Sequence, residues 1–127
     1  MKYTLIAATI LFATQASANE PFGVWQTITD DTGAYLLVDV QPCAADAAKL
    51  CSTVTEVINS PHQNLVGRPL FWDLEATDDN KWENGKVWDA ATDKVYDAQV
   101  TLGKTAMRVE GCVSLFCDGQ NWKRPQK

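Results

Sequence analysis

The sequence predicts an all-β protein: a small antiparallel meander that closes into a roughly eight-stranded barrel, tied by two local disulfides. Three observations carry that expectation. Residues 96–102 alternate strictly, with Tyr96, Ala98, Val100 and Leu102 on one parity and Asp97, Gln99 and Thr101 on the other. A period of two is what a half-buried strand requires, because successive side chains point to opposite faces. Short apolar-alternating segments recur about every ten residues with turn signals between them (among these Asp30-Asp31-Thr32-Gly33, Asn59-Ser60-Pro61, Asp78-Asp79-Asn80 and Gly103-Lys104), and no stretch carries a long helical period.

Taken in order, residues 1–18 read as a secretory signal peptide. Lys2 supplies the positive start, residues 3–13 are an apolar run, and Ala16-Ser17-Ala18 offers small residues for cleavage. The run is shorter than the ~20 residues that span a bilayer, so no transmembrane segment is expected after signal removal. The remaining residues, 19–127, are expected to form a single β-barrel domain, periplasmic or secreted.

Residues 22–27 open that domain as a strand, and residues 34–41 form the next, with Leu36, Val38 and Val40 inward. Pro42 ends its ladder because it has no N–H to give. The alanine-rich residues 44–50 connect to a β-branched strand at 52–58, in which both alternations mix polar with apolar residues. His62 falls in a polar loop, and residues 65–72 combine turn chemistry with a dense apolar run. The meander at 81–111 contains Asn84-Gly85, either a bulge or a tight turn, which leaves open whether Trp82 and Trp88 share a face. Residues 111–117 read as a disulfide-closed corner and 120–124 as a last short strand.

The four cysteines allow three pairings. Cys43–Cys51 and Cys112–Cys117 are favoured, since each pair brackets a short loop and an exported chain meets an oxidising compartment. The spacings do not match the two-residue knuckles of structural zinc. No metal and no cofactor is expected.

The chemistry is limited by composition. The formal net charge of −5 disfavours nucleic acid as a partner, which requires a basic stripe. One histidine and no G-x-S-x-G elbow leave no triad. Aspartates such as Asp89, Asp93 and Asp97 sit at turns or on a polar face, where they cap backbone or meet water, and none of their spacings is that of an EF-hand. Five tryptophans are the stronger signal. Their first role is to fill a small core, their second to line a pocket for an apolar or aromatic ligand. The candidate ligand-binding residues are Trp25, Arg68, Trp82, Trp88, Tyr96 and Trp122. The sequence thus points to binding of a small apolar or aromatic ligand, or of a partner protein, rather than to catalysis. The competing classes are a carboxylate-based hydrolase and a structural or stress-related envelope protein. No oligomeric state is specified by the pattern.

The order Gly23-Val24-Trp25, Pro42-Cys43 followed by Cys51, Gly67-Arg68-Pro69-Leu70, Trp82 through Gly85, Lys94 through Tyr96, Val109-Glu110-Gly111-Cys112 and Trp122 resembles the exported bacterial family catalogued as domain of unknown function 2147. The likeness extends over residues 21–124 and implies an exported β-domain. Where the family has a short glycine-containing stretch between the first two cysteines, this chain has the longer residues 44–50. A looser resemblance is to lipocalin-type barrels, in the G-x-W of Gly23-Val24-Trp25 and the basic Lys123-Arg124. It implies that one of those two basic side chains stacks over Trp25 and closes the barrel bottom.

Overall fold

The computed structural model describes residues 20–126. The signal-peptide reading of residues 1–18 lies outside that range. Nine strand segments follow in order: β1 (Gly23–Gln26), β2 (Tyr35–Pro42), β3 (Lys49–Ile58), β4 (Phe71–Trp72), β5 (Leu74–Asp78), β6 (Lys81–Asp89), β7 (Lys94–Leu102), β8 (Ala106–Val113) and β9 (Phe116–Lys123), with a single 3-10 turn at Gln63–Leu65. β4 and β5 both pair with β6, and Asp73 between them takes φ 58°. They are two pieces of one stave, so nine segments make eight staves. The ladder runs β5–β3–β2–β1–β9–β8–β7 and closes through β6–β7. Every pairing is antiparallel, and the barrel the sequence predicts is the one observed.

Both favoured disulfides are present. Cys43–Cys51 ties off the β2–β3 connection and Cys112–Cys117 joins β8 to β9. All four sulfurs are consumed, which removes the four-thiolate zinc alternative. The expected corner at 111–117 is instead a hairpin. β8 runs on to Val113, β9 begins at Phe116, and only Ser114 and Leu115 make the turn. Two-residue hairpin turns need positive φ, and Ser114 adopts 57°.

Three register shifts interrupt the ladders, on β3, β5 and β6, and those on β3 and β6 change which side chains face inward. On β3 the register jumps so that Leu37 and Val38 oppose Glu56 and Val54, leaving Thr55 unpaired. The buried set therefore changes from Leu50, Ser52 and Val54 to Val57, which is why neither alternation of this strand is cleanly apolar. On β6, Trp82 opposes Val100 and Gly85 opposes Ala98, so Glu83 and Asn84 together face Gln99. Asn84 holds φ 64°. Beyond this bulge Val87 faces inward and Trp88 outward, so Trp82 and Trp88 lie on opposite faces. Gly85 is required at the crossing, since a Cβ there would sit 2.3 Å from the Trp72 carbonyl oxygen.

The interior is packed over most of the barrel's length. Val38, Phe71, Leu74, Val100 and Met107 have no exposed surface, and Phe71 stacks on Trp122 with centroids 5.8 Å apart. The buried polar side chain Ser52 replaces a ladder bond: its Oγ accepts from Phe71 N–H at 2.9 Å and donates to the Phe71 carbonyl at 3.3 Å. Satisfied in both roles, it carries no desolvation penalty.

Candidate functional site

Antiparallel connectivity divides the loops between two ends. The turns at 43–48, 79–80 and 103–105 share one end with Glu20 and Arg124, while those at 27–34, 59–66, 90–93 and 114–115 share the other.

The first end is shut. The Arg124 guanidinium lies 3.9 Å from the centroid of the Trp25 ring and donates to the carbonyls of Glu20, Phe22 and Val24 at 2.9, 2.8 and 3.0 Å. Trp25 Nε1–H donates to the Pro21 carbonyl at 2.7 Å. β1 and β9 share only the pair Gln26 and Lys123, so this fork supplies much of the closure. Partial burial lowers the Arg124 pKa, opposed by the charge of Glu20. Stacking of a late basic residue over Trp25, which the lipocalin likeness implied, is fulfilled by Arg124.

The second end is a mouth. Inward-facing residues that are buried deeper in the barrel give way there to half-buried ones: Leu36 above Val38, Val87 above Gly85, Tyr96 above Ala98, Gly111 above Val109 and Gln120 above Trp122. One apolar row crosses the lip. Val87 opposes Tyr96 on the ladder. Tyr96, one step past the Asp97 and Cys112 pair, comes level with Val113, which opposes Phe116. Exposure rises along the row to 62% at Val113 and 84% at Phe116. Both share the parity of Val109 and Trp122, so they continue the barrel lining past its rim on a hairpin held by Cys112–Cys117. Ile28 and Val66, on the other loops of this end, are also half exposed. An apolar lip left in water is a recognition feature.

Of the six residues singled out from sequence, Trp25, Trp88 and Trp122 are buried, Trp122 with its Nε1–H on Gln120 Oε1 at 3.2 Å. Trp82 faces inward near the closed end, and Tyr96 stands at the mouth. Arg68 and Trp88 form a separate outer pair, the guanidinium 3.8 Å from the ring centroid, with Trp88 Nε1–H donating to Asp93 at 2.9 Å. Arg68 thus meets an aromatic face. Its backbone is pinned to β3, where Val54 N–H donates to its carbonyl at 2.9 Å. The six do not converge. Val113 and Phe116 were missed because an apolar pair inside a short cysteine-bracketed loop reads as a corner. The signal was the parity of Val109 and Gly111 continuing into Val113.

The carboxylates hold local roles. Asp89 caps Ala91 N–H, Asp97 pairs with Lys86, and Glu83 pairs with Lys81 at 2.9 Å. The Thr32 hydroxyl, then the Ala34 and Thr32 N–H groups, hold the Asp30 carboxyl below its ordinary range, as a turn cap requires. This is not the raised carboxyl of an acid catalyst. His62 is exposed. An outer groove of about 550 Å³ lies over the Asn84 bulge, lined in part by Glu83, Asp97, Gln99 and Leu115. Its two acids are neutralised by those lysines, and Gln99 Nε2 lies against the Cys117 and Cys112 sulfurs at 2.9 and 3.4 Å. Its charged groups and Gln99 are thus engaged, and we take the apolar mouth as the candidate site.

A closed eight-stave antiparallel barrel with a G-x-W first strand and an arginine stacked on its tryptophan is a lipocalin-like barrel. Among solved structures, protein HP1028 from the human pathogen Helicobacter pylori, described as belonging to the lipocalin family, superposes with a TM-score of 0.66 at 15% identity, over 86% of this chain and 85% of that one. At that identity the likeness establishes the fold alone. Residues 23–124 match the profile of the family described as "Uncharacterized protein conserved in bacteria (DUF2147)", and the chain belongs to that family. No curated protein matches it.

Proposed function

We propose that this protein is a non-enzymatic binding protein that takes a small apolar or aromatic molecule at the barrel mouth. The observation that carries this reading is the lip itself, where Val113 and Phe116 extend the inward-facing lining into solvent at 62% and 84% exposure. Because the interior below is lined by fully buried side chains, the ligand in this reading sits shallowly on Val87, Tyr96, Val113 and Phe116. The lipocalin-like fold agrees with small-ligand binding, although fold alone does not assign it. Two disulfides fit a periplasmic or extracellular protein, and no helix among the described residues is long and apolar enough to cross a membrane. Export through cleavage after Ala18, leaving one domain at 19–127, belongs to the same proposal, and an intact mass of the exported protein tests it.

The functional test is tryptophan quenching by 1-naphthylmethanol. Val113→Ser with Phe116→Ser should shift stability by no more than ~0.5 kcal/mol per site, because both side chains are already in water. It should weaken binding at least about tenfold, the loss of roughly two apolar contacts. Unchanged binding in the double variant would remove the mouth as the site.

A further inference from the structure

The inward face of the mouth carries an acid with no basic partner. Asp118 opposes Gly111 on the ladder and stands two residues along β9 from Phe116, on the same face. One of its carboxylate oxygens accepts the Gly119 N–H at 2.8 Å. Among the described residues no lysine or arginine pairs with it; only Glu75, Glu83, Asp97 and Glu110 have a basic partner. Further along the same face, Asp89 and Lys94 stand opposite each other on the β6–β7 ladder. Apolar side chains pack against Gly111, the residue that Asp118 opposes. Gly111 has no side chain, and Tyr96 and Val87 lean against its backbone so closely that a Cβ there would lie 3.2 Å from Tyr96 Cβ and 3.4 Å from Val87 Cγ1.

Resting on the reading of the mouth above, we propose that it selects amphipathic cations, molecules whose apolar or aromatic body packs on Val113 and Phe116 while an ammonium-type group meets Asp118. Apolar contact supplies affinity for the body and the unpaired carboxylate discriminates by charge. Because Asp118 is exposed, the discrimination is modest, about two- to fivefold.

Three ligands with the same ring separate the contributions: 1-naphthylmethylamine, 1-naphthylmethanol and 1-naphthoic acid, titrated against the disulfide-intact protein at pH 7 and low salt by tryptophan quenching. The amine should bind about two- to fivefold tighter than the alcohol, with the acid weakest, and the spread should shrink in high salt. Asp118→Asn keeps an oxygen to accept the Gly119 N–H and should bring the amine-to-alcohol ratio to about one. Equal binding of amine and alcohol by the wild type, or a preference that survives in Asp118→Asn, overturns this inference and leaves the apolar mouth standing. If none of the three binds, the mouth reading fails and the inference with it.

Discussion

Removing the Arg124 side chain should unlatch the barrel at its weakest seam. β1 and β9 are joined by one ladder pair, and the guanidinium adds three hydrogen bonds to β1-side carbonyls and a stack on Trp25. Water can re-solvate those carbonyls at the solvent edge, so each bond is worth about 1 kcal/mol or less, well under the range for buried charged pairs. The cation–π contact adds about 1 kcal/mol at a half-exposed site. Arg124→Ala should therefore cost about 2–4 kcal/mol, or about 8–16 °C in Tm for a domain near one hundred residues. Arg124→Lys keeps a cation over Trp25 but loses the planar fork, and should recover about half. Urea and thermal unfolding followed by tryptophan fluorescence would measure both. If Arg124→Ala unfolds within about 0.5 kcal/mol of the wild type, the seam does not depend on this residue. Full stability in Arg124→Lys would show that charge, not the fork, closes it.

Three further perturbations check other parts of the account. Gly85→Ala drives a Cβ to 2.3 Å from the Trp72 carbonyl and should cost at least ~3 kcal/mol by denaturant unfolding, whereas Gly67→Ala, at φ 90° with no atom within 4 Å, should cost only the ~1 kcal/mol of a strained backbone. Similar losses at both sites would argue against a steric origin at Gly85. Replacing Cys112 and Cys117 together with serine should lower stability by about 2 kcal/mol in the chain-entropy model and raise amide exchange selectively in the β8–β9 hairpin. Uniform exchange across the barrel would contradict a local staple. Asp30 has a folded pKa below its unfolded value, so its contribution is present above about pH 4 and is lost as pH falls through the folded pKa. Asp30→Asn should flatten that part of the acid limb, and an NMR titration of the carboxyl should show a midpoint below the ordinary aspartate value. A midpoint at or above it would refute the capping geometry.

The barrel was legible because its regular strands announce themselves. Val38 and Val40 on β2, and Val100, Met107 and Val109 on β7 and β8, are buried as their alternation requires. Interruptions hid the rest. Thr55 on β3 and the Glu83-Asn84 pair on β6 shift the inward parity midway, and a single extra residue leaves no local mark in composition. Asp73 breaks one stave into β4 and β5, so its apolar run reads as part loop, part strand. Aromatic residues drew attention to the interior, where Trp25 and Trp122 serve packing. The lip depends on how far the β8–β9 hairpin extends beyond the barrel body, a property of register that no single residue encodes.

The most direct test of the mouth is a map of amide and side-chain NMR shifts in the disulfide-intact protein during titration with 1-naphthylmethanol. The account predicts perturbations clustered at Val87, Tyr96, Gly111, Val113 and Phe116, with Trp25 and the closed end silent. Perturbations centred instead on the outer groove around Asn84 and Gln99, or at Trp88 and Arg68, would contradict it.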